Sequence, residues 1–209
     1  MTLDASPPLT GAGHPGDGRK ARPSARTMLR AGTAGAHEDL DTRLSALDLT
    51  DPADYAAFVR VHLAALPPIE RTLEEAGVET VCDDWAARRR AGSLQADADR
   101  LGLEPVQEVE VDGDALAGHP ARLLGTLYVL EGSRLGGEVL LRGIGRGDGI
   151  RNATAFLSHG RGEGLWRSFQ PRLERGLKEP NERRMAIDAA QRAFATFGLA
   201  ACRELEKQD

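Results

Sequence analysis

Apolar residues recur three and four positions apart along most of the chain, a pattern that predicts helices and little else. Beginning near Thr27, the positions Leu29, Thr33, Ala36, Leu40, Leu44 and Leu47 mark a first amphipathic helix. Asp51-Pro52 combines a capping carboxylate with a proline at the first helical position and opens a second, DYAAFVRVHLAALPP. Proline lacks the N–H that a helix interior needs, so Pro67-Pro68 is expected to end that helix. IERTLEEAG then forms a short third helix, closed by Gly77. A fourth, WAARRRAGSLQADADRLG, starts at Asp83 or Asp84. In the connector 104–120, VQEVEV alternates like a strand but has no second strand to pair with, and it reads as loop. A glycine-interrupted helix follows over 120–141, closed by GIGRGDG, and helical stretches over 152–157, 164–178 and 181–207 complete the chain. The expected fold is all-α, with seven or eight helices in a single domain over 25–209.

Composition narrows the class. Residues 1–24 are rich in glycine and proline and poor in apolar groups, so they are expected to be a disordered tail. The 41% apolar content suits a globular domain, and no run approaches the 18 apolar residues of a membrane span. The N-terminus carries no apolar signal core, and the two cysteines, Cys82 and Cys202, stand in unrelated contexts, so a cytoplasmic protein without a disulfide framework or zinc site is expected. A net charge of −5, with no basic stripe interleaved with aromatics, argues against nucleic acid.

Two features carry chemistry. YVLEGSRLGG (residues 128–137) places Gly132, Gly136 and Gly137 in a helical context, where each glycine costs roughly 1 kcal/mol relative to alanine. Gly132-x-x-x-Gly136 serves either as a close helix contact or as bare backbone against a flat, rigid ligand. His37 shares the stripe of Leu29, Thr33, Leu40 and Leu44, and is either a hydrogen-bonded core residue or a ligand. Arg30 lies seven residues earlier on nearly the same face, roughly 10 Å along a continuous helix axis. That pairing suits a flat cofactor with a metal centre and an anionic edge. The Glu-x-x-His motif of di-iron bundles is absent, and GIGRGDG lacks both the strand and the Lys-Ser/Thr of a phosphate loop. Ser133 has no recognisable His/Asp partner for nucleophilic chemistry.

LRAGTAGAHEDLD (residues 29–41) resembles the proximal helix of haem oxygenases, and YVLEGSRLGGEVL resembles their distal helix. FLSHGRGEGLWRSF, with Ala193-Phe194 in the last helix, is similar to the family's C-terminal part. The likeness covers roughly 27–207 and is greatest to bacterial members that accompany bacteriophytochromes. It implies a helical bundle with haem between proximal and distal helices, and degradation of haem to biliverdin, CO and iron by O₂. Electrons would come from an external reductase or ferredoxin, and a bacteriophytochrome is a candidate acceptor of the bilin. By position, the resemblance makes His37 the axial iron ligand and Gly132, Gly136 and Gly137 the distal backbone. It gives Arg30 and Arg167 the propionates, Phe194 a pocket wall, and Arg134 a place in the proton route. Ser133 stands where mammalian-type members carry an aspartate. A haem carrier or sensor without turnover, and a helical protein that binds another aromatic metabolite, are the competing readings.

Overall fold

The computed structural model describes residues 22–144, 150 and 152–207. Most of the expected tail and of GIGRGDG lie outside the described residues. Nine α-helices are present among those described: α1 (Ala25–Gly32), α2 (Ala34–Leu44), α3 (Pro52–Glu75), α4 (Trp85–Arg88), α5 (Ala91–Arg100), α6 (Pro120–Gly143), α7 (Ala155–Ser158), α8 (Leu165–Gly176) and α9 (Pro180–Leu205). A single 3₁₀ turn spans Val78–Thr80, and no strand occurs among the described residues, so the connector is irregular as expected.

Three long helices start with a proline whose missing N–H costs nothing there. Asp51 Oδ1 caps α3 by accepting from the backbone of Ala53 (2.8 Å) and Asp54 (3.2 Å). His119 Nδ1 accepts from Ala121 N at the start of α6, and Glu179 with Glu182 forms a capping box at the start of α9. The centre of the molecule is the packing of α6 on α9, with α3 also against α9 and α5, α7 and α8 closing around α6 and α3. The α6–α9 approach depends on Gly125. A Cβ there would lie 2.0 Å from the Ala186 carbonyl oxygen, so no other residue fits without separating the helices.

Three expected boundaries are corrected. The first helix is broken at Thr33, which ends α1 and begins α2. Glycines flank the break, and the Gly32 carbonyl accepts from Gln191 Nε2 of α9 (2.8 Å). Arg30 and His37 therefore do not share one helix axis. Pro67-Pro68 does not end the second helix: α3 runs unbroken through both prolines. Pro68 cannot donate to Ala64 O, but the N–H of Val109 in the connector does (2.8 Å). The tertiary structure thus supplies the hydrogen bond that proline removes. The predicted fourth helix is two, α4 and α5. Glu70 of α3 accepts from the backbone N–H groups of Arg90 (2.8 Å) and Ala91 (3.1 Å), capping α5 at the point where a continuous helix would have used those donors internally.

Candidate functional site

Helices α1 and α2 face α6 across a cavity of about 570 Å³, with α3, α7 and α9 forming its floor and sides. That volume lies in the range of small-molecule and cofactor sites. The lining is mainly apolar and aromatic, including Leu40, Leu44, Phe58, Phe156, Phe194 and Phe197.

His37 projects from α2 with 59% of its side chain exposed, so it is not a core histidine. Its Nδ1 lies 2.9 Å from Asp41 Oδ2, one helical turn on. A carboxylate beside Nδ1 is an arrangement common behind metal-binding imidazoles that ligate through Nε2. Phe194 of α9 meets the ring edge-on, with centroids 5.6 Å apart at 71°. Arg30 and Arg26 of α1 are both exposed and line the same cavity, offering two cations to an anionic edge.

On the opposite wall, Gly132 and Gly136 have no atom within 4 Å of the position a Cβ would take. This decides between the two readings of the glycine spacing. No helix packs against these two residues; they present bare backbone to the cavity. Gly137 differs, since a Cβ there would make ordinary contact with the Leu157 side chain at 3.5 Å. Ser133 sits among them, its Oγ donating to Leu130 O (2.8 Å) and accepting from Arg90 Nη2 (2.8 Å).

The structure brings together His37, Arg30, Phe194, Gly132, Ser133, Arg134, Gly136 and Gly137 around one cavity. Arg167 does not join them. It lines an adjoining recess of about 260 Å³ between α6 and the turn before α8, together with Arg161. Arg134 reaches the cavity wall, but its guanidinium is already engaged. Nε bonds Glu131 Oε1 (3.0 Å), Nη2 bonds the Arg88 carbonyl (2.5 Å), and Nη1 donates to His159 Nδ1 (3.2 Å). Glu131, the acid of the EGS triplet, is fully buried and also accepts from Arg88 Nη1 (2.6 Å). Arg88 in turn holds Asp84 through Nε (2.8 Å) and Nη2 (2.7 Å), keeping that carboxyl low, at about 2. These groups form a buried ionic chain behind the distal wall that ties α4, α6 and the turn before α8.

Sequence reasoning missed several lining groups. His62 of α3 stacks among Phe58, Phe156 and Phe197, with ring centroids 4.2, 5.0 and 5.7 Å away. Its Nδ1 bonds Phe58 O (2.8 Å), and burial pushes its pKa down to about 4. His159, from the turn after α7, also titrates below the usual range through burial and the nearby Arg134 and Arg90. The hydrophobic period places His62 and Arg90 on helices, but not which cavity those helices enclose. The Arg88-Arg89-Arg90 cluster was the available signal, without a direction attached to it.

No family model matches the chain. Its sequence is 35% identical over 149 residues to a haem oxygenase of Xanthomonas campestris pv. campestris (strain 8004), spanning 70% of this chain and 88% of that protein. In fold it is similar to the NO- and CO-bound haem oxygenase of Neisseria meningitidis, with a TM-score of 0.74 and 21% identity over 88% of this chain and 92% of that one. It is also similar to the haem oxygenase of Leptospira interrogans, with a TM-score of 0.63 and 16% identity over 87% of this chain and 100% of that one. A histidine backed by a carboxylate, facing open glycine backbone across an apolar slot, stands in a chain with this likeness in sequence and fold: the protein belongs to the haem oxygenase family.

Proposed function

We propose that this chain oxidises haem to biliverdin, CO and iron, using O₂ and electrons from an external reductase or ferredoxin. The observation that carries this reading is the opposition of His37, backed by Asp41, to the bare backbone at Gly132 and Gly136. Bound haem supplies both the iron at which O₂ is reduced and the ring that is opened. The residues of the chain fit that substrate. His37 would hold the haem iron through Nε2, and Asp41, beside Nδ1, would orient the ring and raise its basicity. Neutral imidazole, unlike thiolate, gives little electronic push toward cleavage of an O–O bond.

Gly132 and Gly136 leave room for a small gaseous ligand beside the backbone. Phe194 and the aliphatic lining hold the apolar faces of the ring and exclude water. Arg26 and Arg30 meet the propionates at the open rim, where an exposed pair contributes about 1 kcal/mol or less but sets in-plane rotation. Arg134 acts on the distal wall by fixing Glu131 and His159, leaving Ser133 as the hydroxyl nearest the glycines. Arg167 lines the adjoining recess, beside Trp166, which the two cavities share. Delivery of the bilin to a bacteriophytochrome rests on the sequence likeness, and a cytoplasmic compartment is part of the same reading. No described helix is long and apolar enough to cross a membrane.

Haem titration followed by reductant in air tests the proposal. The expected result is an imidazole-type Soret band that decays as biliverdin absorption and CO appear. His37→Ala should keep its helix, bind haem weakly through the apolar slot, and lose both the ligation spectrum and turnover. A stable wild-type complex that never bleaches would instead mean a carrier or sensor, and no Soret shift on haem addition would mean a different ligand.

A further inference from the structure

Three arginines are buried among the described residues: Arg88, Arg90 and Arg134. Arg88 and Arg134 are paired with carboxylates, through Asp84 and Glu131. Arg90 is not. It is 5% exposed, lines the main cavity, and has no carboxylate within salt-bridge distance among the described residues. Its Nη2 donates to Leu130 O (2.8 Å) and Ser133 Oγ (2.8 Å), and its guanidinium carbon lies 4.9 Å over the centre of the Phe156 ring. The backbone at Arg90 is pinned by the buried Glu70 carboxylate, so the side chain enters the cavity from a fixed point.

Burying an unpaired charge is costly, and proteins rarely accept that cost without a partner or a ligand. Here the partners are a carbonyl, a hydroxyl and an aromatic face, all neutral. Burial and the neighbouring Arg134 lower the Arg90 pKa to about 10 against the opposing pull of the Glu131 and Glu70 carboxylates behind it, which leaves it charged at neutral pH. The other groups facing the cavity do not cancel it. His62 is neutral there, Asp41 is engaged by His37, and Arg26 and Arg30 are cations themselves.

We propose that Arg90, acting through Ser133 beside the distal glycines, gives this site a fixed positive charge that favours anionic over neutral ligands at the iron. The proposal rests on the haem oxygenase reading. It assigns an electrostatic role to the position where, by sequence resemblance, other members carry a carboxylate. The mammalian-type aspartate would put negative charge next to the glycines. This chain puts a neutral hydroxyl there and a cation directly behind it. Charge that builds on a distal ligand as electrons arrive is then met by Arg90, and Ser133 is a hydroxyl polarised by it.

Ligand affinities of the haem complex test this without reference to turnover. Azide on the ferric complex is the anionic probe, and CO on the ferrous complex the neutral one. A unit charge about 10 Å away in a medium of effective dielectric constant about 20 changes an anion's affinity by about tenfold or more. Arg90→Met is expected to weaken azide by that factor and to leave CO within about threefold, while Arg90→Lys keeps both near wild type. Ser133→Asp leaves Arg90 in place, pairs it with a carboxylate, and is expected to weaken azide as Arg90→Met does. This second variant keeps the test open if Arg90→Met does not fold. Azide binding unchanged in Ser133→Asp, or equal loss of azide and CO in the folded variants, overturns the proposal. A wild-type protein that takes up no haem overturns the functional reading instead.

Discussion

Three glycines of one helix show how much local context decides. Gly125, Gly132 and Gly136 all lie on α6, yet the first is a packing requirement and the other two are vacant space. Gly125→Ala would drive a methyl group into the Ala186 backbone, and overpacking of this kind costs about 1–3 kcal/mol or more. Gly136→Leu meets nothing in the protein and should leave the melting temperature close to wild type, while haem or CO affinity falls sharply. Thermal melts of the two apoproteins, with CO titration of the haem complexes, check the contrast. Normal CO affinity in Gly136→Leu would remove the glycines from the site. Glu131 lies in the same stretch and faces neither the cavity nor solvent; it anchors two guanidinium groups.

At the level of elements, helices here begin and end where other elements allow it. α3 continues through two prolines because Val109 donates to Ala64 O, and α5 starts at Ala91 because Glu70 receives its first N–H groups. The distal wall depends on the same kind of support. Arg88 of α4, Glu131 and Arg134 of α6, and His159 before α8 form one buried chain. Removing one partner of a buried ion pair strands the other charge, typically at a cost of about 3–5 kcal/mol. Glu131→Gln is therefore expected to destabilise the apoprotein by that order, measured by urea unfolding, although the residue touches no ligand. Replacement of the exposed Arg192, whose partner Asp188 lies one turn away on the surface, should cost about 0.5 kcal/mol or less.

Across the whole molecule, the same cavity that receives a ligand holds groups that pay for their burial in pH dependence. His62 has a pKa near 4 in the folded protein, chiefly through burial, against an ordinary value of 6.5. Above pH 6.5 the imidazole is neutral in both folded and unfolded chains and contributes nothing to pH dependence. As pH falls from 6.5 toward 4 the unfolded chain takes the proton first, so stability is lost over that window, by about 3 kcal/mol at most. His62→Phe preserves the aromatic packing and should flatten the stability curve between those limits. Chemical denaturation of both apoproteins at pH 7 and pH 4.5 measures the difference; equal slopes would mean that His62 keeps its proton affinity on folding. The buried carboxyls of Glu70 and Asp97, both raised by burial, are common to the two proteins and cancel in the comparison.

The sequence by itself determined the helical class, the helix starts near Pro52, Pro120 and Pro180, and the loop over the connector. These are local matters: periodicity, capping and the absence of side chains at Gly132 and Gly136 act over a few residues. Only the tertiary structure decided what those residues meet. It split the first helix at Thr33, carried α3 through Pro67-Pro68, set Arg167 in the adjoining recess, and tied the Arg134 guanidinium to Glu131, His159 and the Arg88 carbonyl. It also brought His62 of α3 and Arg90, at the junction of α4 and α5, to the cavity wall, which the sequence around them does not foretell. The physical reason is the same in each case. A hydrogen bond or ion pair between residues about 40 or more positions apart satisfies a donor, an acceptor or a charge that local sequence leaves open, and no periodicity records which distant group will answer it.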